Sequence, residues 1–182
     1  MRFKIHATSI ALIAAAFLTI GCTPTATEIQ KDGQALNSTL TQLAAVEQPL
    51  NPTLAANLLT AANALEAVTA NWQTGNPVAV FNDAANAVDV ALAAIPQTAA
   101  VAPFIPIIVG GIDLLIANIP GATSTTSVAI AYNPVQVSLA RYRAEGATAV
   151  KPTRFGTPRS AFIAAWNKQL AAHPTAGLSP IH

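Results

Sequence analysis

Between residues 29 and 95 the apolar side chains recur in steps of three, four and seven, and each run stops at a proline or glycine. Ile29, Leu36, Leu40, Leu43 and Val46 form the first stripe, which ends before Pro49. Leu54, Leu58, Ala61, Leu65, Val68 and Trp72 form the second, entered at Pro52 and closed by Gly75-Asn76-Pro77. Val78, Phe81, Ala85, Val88, Leu92 and Ile95 form the third, closed by Pro96. This is the period of one helix face, whereas a strand needs alternation in twos. Connections this short join antiparallel neighbours, so the stripes predict an all-α, small antiparallel bundle.

A fourth segment, Ala99 to Ile119, is apolar on every side, with Asp113 its only charge. Pro106 disfavours a helix that runs through it and suits a first turn, so the helix is expected from there to Ile119. Fourteen residues are too few to cross a bilayer and suit a central helix of a bundle. Gly110-Gly111 offers a smooth spot for close approach by another backbone. Asp113 then needs a cationic or polar neighbour, such as Arg141 or Arg143. Asp83 and Asp89, six apart in the third stripe's segment, are expected to face solvent. Further on, 128–132 reads as a short strand or extended chain and 135–144 as a helix. Ser160 to His173 reads as a last helix, with Phe162, Trp166 and Leu170 four apart.

The N-terminus carries a different signal. Arg2 and Lys4 precede an uncharged apolar run from Ile10 to Gly21, which is too short for a membrane span and has the build of a secretory signal peptide. The run stops at the only cysteine, Cys22. Leu18-Thr19-Ile20-Gly21-Cys22 resembles the lipobox of bacterial lipoproteins, with Thr19 where that family usually has an aliphatic residue. The resemblance implies diacylglycerol on the Cys22 thiol, cleavage after Gly21 and acylation of the new amine. In a diderm, Thr23 in place of Asp implies the outer membrane. The expected organisation is a signal peptide (1–21), a lipidated tether (22–27), a helical bundle (28–120) and a loop-rich basic segment with one helix (121–182).

Removing 1–21 leaves 161 of the 182 residues, enough for one domain with a core. Charged residues make up 9%, against about 25% in an average globular protein, and they are segregated. From Thr23 to Ala140 there are seven acids against Lys31 alone. From Arg141 onward, Arg141, Arg143, Lys151, Arg154, Arg159 and Lys168 stand against Glu145 alone. These six cations are the candidate interaction residues. Their expected partners are anionic envelope components, another envelope protein or the acidic body itself, and nucleic acid is not expected of an exported chain. The segment from Arg141 to Leu170 is expected to fold back on the bundle.

Catalytic signatures are missing. Gly110-Gly111 lacks the lysine and hydroxyl residue of a phosphate loop, and no Gly-x-Ser-x-Gly elbow is present. After cleavage only His173 and His182 remain, with no cysteine or nearby carboxylate to complete a metal site. The sequence reads as a non-enzymatic, cofactor-free lipoprotein with a structural or interaction role in the envelope. Its low-charge, Ala-rich composition is similar to that of small accessory lipoproteins. Two alternatives stay open: a membrane-active protein that inserts residues 99–119, and an envelope hydrolase.

Overall fold

The computed structural model describes residues 24–72, 78–119, 121–122, 145, 150 and 158–182. Cys22, the expected strand at 128–132 and the expected helix at 135–144 lie outside them. The described residues form an all-α bundle: α1 (Ala26–Glu47), α2 (Pro52–Ala70), α3 (Val78–Ala93), a 3-10 turn (Ala102–Phe104), α4 (Ile105–Asn118) and α5 (Pro158–Ala172).

Local chemistry sets the helix starts. At α1, Thr25 accepts a hydrogen bond from the Glu28 amide while the Glu28 carboxylate accepts one from the Thr25 amide at 2.7 Å. This reciprocal capping box begins the helix at Ala26, inside the stretch expected to be tether. At α2, Asn51 caps the Leu54 amide and Pro52 occupies the first turn. The 14 residues of α4 start at Ile105, one residue before the expected Pro106. No helix among the described residues is long and apolar enough to cross a membrane.

Packing follows the stripes. Leu36, Leu40 and Leu43 of α1, Leu58 and Leu65 of α2, and Phe81, Val88 and Leu92 of α3 are all buried. α1 and α2 run antiparallel, because Gly33 meets Thr69 while Asn37 donates to the Glu66 carboxylate. A Cβ on Gly33 would collide with the Thr69 side chain, so a bare backbone lets these two helices close. Thr69, fully buried, keeps its hydroxyl satisfied by donating to the Glu66 carbonyl of its own helix. Past the end of α2, Trp72 sets its edge against Phe81 at the start of α3, with centroids 5.9 Å apart.

α4 takes the central place expected of it, with ten of its 14 residues buried. Its main neighbours are α1 and α5, and it meets α3 only along a short stretch. α3 lies mainly on α2. At Gly111 a Cβ would fall 2.7 Å from the Phe162 ring and 2.9 Å from Leu36. The smooth spot admits an aromatic ring from α5 and a leucine from α1, where a backbone had been expected.

Residues 158–182 dock on the bundle, which was expected of the described part up to Leu170 and extends beyond it. Phe162 and Trp166 join the common core, so that core is continuous across the expected boundary at 120/121. After α5, Gly177 (φ 89°) turns the chain back, and Leu178 and Ile181 are buried. Trp166 Nε1 donates to the Ser179 carbonyl at 3.0 Å. Asn167 exchanges two hydrogen bonds with the Ile181 backbone, at 2.9 and 3.0 Å. The Ser179 amide donates to Gln42 Oε1 of α1 at 2.6 Å. The last ten residues are a strap laid over α1 and α5.

Two acids depart from expectation. Asp83 is exposed, but Asp89 is buried at 3% exposure. It lies four residues after Ala85 and three before Leu92, which puts it on the inward face of α3. Asp113 is only partly buried and has a polar interaction. The cost foreseen for a fully buried carboxylate is thus mostly avoided, because α4 has one edge near solvent.

Candidate functional site

Helical spacing places Lys31, Gln34, Ser38 and Gln42 on one face of α1, at steps of three and four. Arg159 in the first turn of α5 and His182 at the end of the strap complete the wall of a groove of about 510 Å³. Ala35, Pro180 and Ile181 supply its apolar surface. Lys31, Gln34 and Ser38 are exposed, while Gln42 is held through its carbonyl oxygen by the strap. Among the described residues there are three Lys and Arg side chains, and two of them, Lys31 and Arg159, line this groove.

Arg159 Nη1 stands 3.9 Å from Asp32 Oδ1, with the two side chains 31% and 15% exposed. At that distance the pair is loose, and a guanidinium has five N–H donors, so most of its hydrogen-bonding capacity is left for other groups. Behind the pair, Asp32 looks into an apolar crevice formed with Leu36, Leu114, Leu115 and Phe162. Burial pushes the Asp32 carboxyl up to about 6; Arg159 opposes the shift and Glu28 adds to it. Glu28 moves the other way: the hydrogen bonds from the Thr25 amide and hydroxyl hold its carboxyl below the usual value.

A pH dependence follows from Asp32. Its carboxyl binds a proton more tightly in the folded chain than in the unfolded one, where the ordinary value is 3.8. Stability contributed by the protonated group is therefore present at low pH and lost as pH rises from about 4 to about 6. Asp32→Asn is expected to flatten the pH dependence of the urea midpoint across that window. At pH 7 it is expected to raise stability by on the order of 1 kcal/mol, a figure reduced for solvent screening at a partly open site. A midpoint at pH 7 lower than that of the parent chain would refute this.

Of the residues singled out in the sequence, Arg141, Arg143, Lys151 and Arg154 lie outside the described residues, as does Cys22. Arg159 and Lys168 are described, and the helix separates them. Nine residues of α-helix turn through about 180° and rise roughly 13 Å, so Arg159 lines the groove while Lys168 points to solvent elsewhere. Asp32 stands beside one tail cation, Arg159, and the pairing expected of Arg141 or Arg143 lies outside the described residues. Sequence reasoning passed over Lys31, Gln34, Ser38 and Gln42. They are polar residues on the outer side of a helix whose apolar stripe drew the attention, and a site there exists only once α5 and the strap are laid alongside.

Two other features compete for notice. A shallow groove of about 600 Å³ between α2 and α3 is lined largely by alanines, with the exposed Val90 at its edge. Glu47, at the end of α1, is buried at 3% exposure, and its Oε1 has no hydrogen-bond partner among the described residues. No group of three His, Cys, Asp or Glu among the described residues is placed to hold a metal ion.

The chain matches no protein-family profile, and neither a curated protein nor a solved structure shows significant similarity to it.

Proposed function

We propose that this chain is a bacterial lipoprotein precursor whose mature part is a small helical bundle held on a membrane by lipid on Cys22. In this reading it has a non-enzymatic, structural or interaction role in the cell envelope. The observation that carries the reading is the position of the only cysteine, directly after Gly21 and at the end of a short apolar run with Arg2 and Lys4 ahead of it. Spacing supports it too. Four residue steps separate Cys22 from Ala26, the first residue of α1, a reach of at most about 14 Å. A bundle on so short a tether rides against the lipid surface. The alternative in which residues 99–119 insert into a bilayer has a cost attached, because Ile105, Ile108, Ile112 and Leu115 would have to leave the bundle core.

Cys22→Ser tests the proposal, because the thioether requires the sulfur. The variant is expected to take up no fatty-acid analogue in metabolic labelling and to remain uncleaved. The parent chain is expected to label and to lose its first 21 residues. Equal label in both would exclude lipidation at Cys22.

A further inference from the structure

We infer that the groove between α1, the first turn of α5 and the C-terminal strap is a binding site for a phosphate ester of a small polyol. Lys31 and Arg159 would take the phosphate, and Gln34 and Ser38 the hydroxyls.

Three observations carry the assignment. The first is the convergence of charge: Lys31 and Arg159, from opposite ends of the described chain, come to one groove. Lys31 is exposed and Arg159 reaches Asp32 only at 3.9 Å, so both keep donors for a ligand while they also offset the charge of Glu28 nearby. The second is the division of chemistry along the groove. Lys31 and Arg159 are its cationic members, while Gln34 and Ser38 follow about one and two turns further along the same face of α1, and Gln42 about three. A guanidinium and an ammonium complement the oxygens of a phosphate, and amides and a hydroxyl complement alcohols. The third is preorganisation. Gln42 is fixed by the Ser179 amide, and the strap that forms the far wall is fixed by the Trp166 and Asn167 hydrogen bonds. A wall already ordered loses little conformational entropy when a ligand arrives. The volume of about 510 Å³ lies in the range of small-molecule sites.

The same chemistry occurs in a soluble glycerol phosphate and in the headgroup of phosphatidylglycerol. The groove does not need the lipid tether to exist, so its test is independent of lipidation at Cys22. The full chain, kept in a neutral detergent, is titrated with sn-glycerol 3-phosphate, with glycerol, and with mixed micelles carrying phosphatidylglycerol or phosphatidylcholine. The readouts are the amide shifts of residues 31–42 and the Arg159 Nε–H signal. Saturable shifts with a phosphate-bearing probe, and none with glycerol, are expected. Lys31→Gln and Arg159→Gln should each weaken binding by roughly tenfold or more, since each removes a charge-assisted contact. Lys168→Gln, on the same helix as Arg159 but away from the groove, should bind like the parent chain. Binding of free glycerol phosphate identifies a soluble ligand, and binding only of phosphatidylglycerol micelles identifies a headgroup. The assignment is overturned if no phosphate-bearing probe binds saturably. It is equally overturned if Lys168→Gln weakens binding as much as Lys31→Gln, because the effect is then general charge attraction. Lys31→Gln replaces an exposed residue, so its result does not depend on whether Arg159→Gln folds.

Discussion

Trp166→Ala is expected to lower stability by about 3–5 kcal/mol, the range for removing a large aromatic side chain from a core. Trp166 is fully buried and lies 5.0 Å from the Phe104 ring, centroid to centroid. It also anchors the strap through its indole N–H on Ser179. Removing it empties the space between α5 and the 3-10 turn before α4, and it releases one of the bonds that hold residues 173–182. A domain of this size is commonly stable by 5–15 kcal/mol, so the variant sits close to unfolding at moderate temperature. Two measurements check this: the urea midpoint, and the rate of tryptic cleavage at Lys168, which should rise as α5 opens more often. Trp166→Phe should recover part of the loss, because it restores an aromatic ring but gives up the hydrogen bond and the volume of the second ring. A midpoint within 1 kcal/mol of the parent for Trp166→Ala would show that α5 is not part of the cooperative core.

The other large effects are expected at Leu65 and Leu92. Each is fully buried, one in the middle of α2 and the other near the end of α3. Replacement by Ala removes buried methyl and methylene groups and leaves a cavity, at a cost of about 2–5 kcal/mol each. Val90, on α3 but 63% exposed, is the matched control, and Val90→Ala should change stability by no more than about 0.5 kcal/mol. Thermal midpoints unchanged in both leucine variants would mean that the faces of α2 and α3 are turned the other way.

The stripes show why so much of the fold was legible. Positions 54, 58, 61 and 65 of α2 and 81, 85, 88 and 92 of α3 are buried, as is Ile95 just past the end of α3. These are the residues a period of 3.6 brings to one side of a helix. Pro52, Pro96 and Pro106 act on the backbone locally, so the positions of element ends could be read without knowing any neighbour. Burial of Asp89 could be read from the same period, because 85, 89 and 92 share a face. The expectation of exposure weighed the charge of the residue and passed over its position.

What the sequence by itself determined is the helical class, the approximate helix ends and the inward faces, since each depends on residues within a turn or two of one another. Tertiary structure alone decided which helix lies against which. Gly33 carries no signal within the first stripe until Thr69 is placed against it, and Gly111 reads as a backbone contact until Phe162 fills it. The same holds for the candidate groove. Lys31 and Arg159 are 128 positions apart in the chain, and no local rule links them. They line one groove because α5 docks on the bundle through Phe162 and Trp166, and because the strap, pinned by Trp166, Asn167 and Gln42, forms the remaining wall. Side-chain period is a short-range property of the backbone, whereas the choice of neighbour depends on shape complementarity between faces that are distant in the chain.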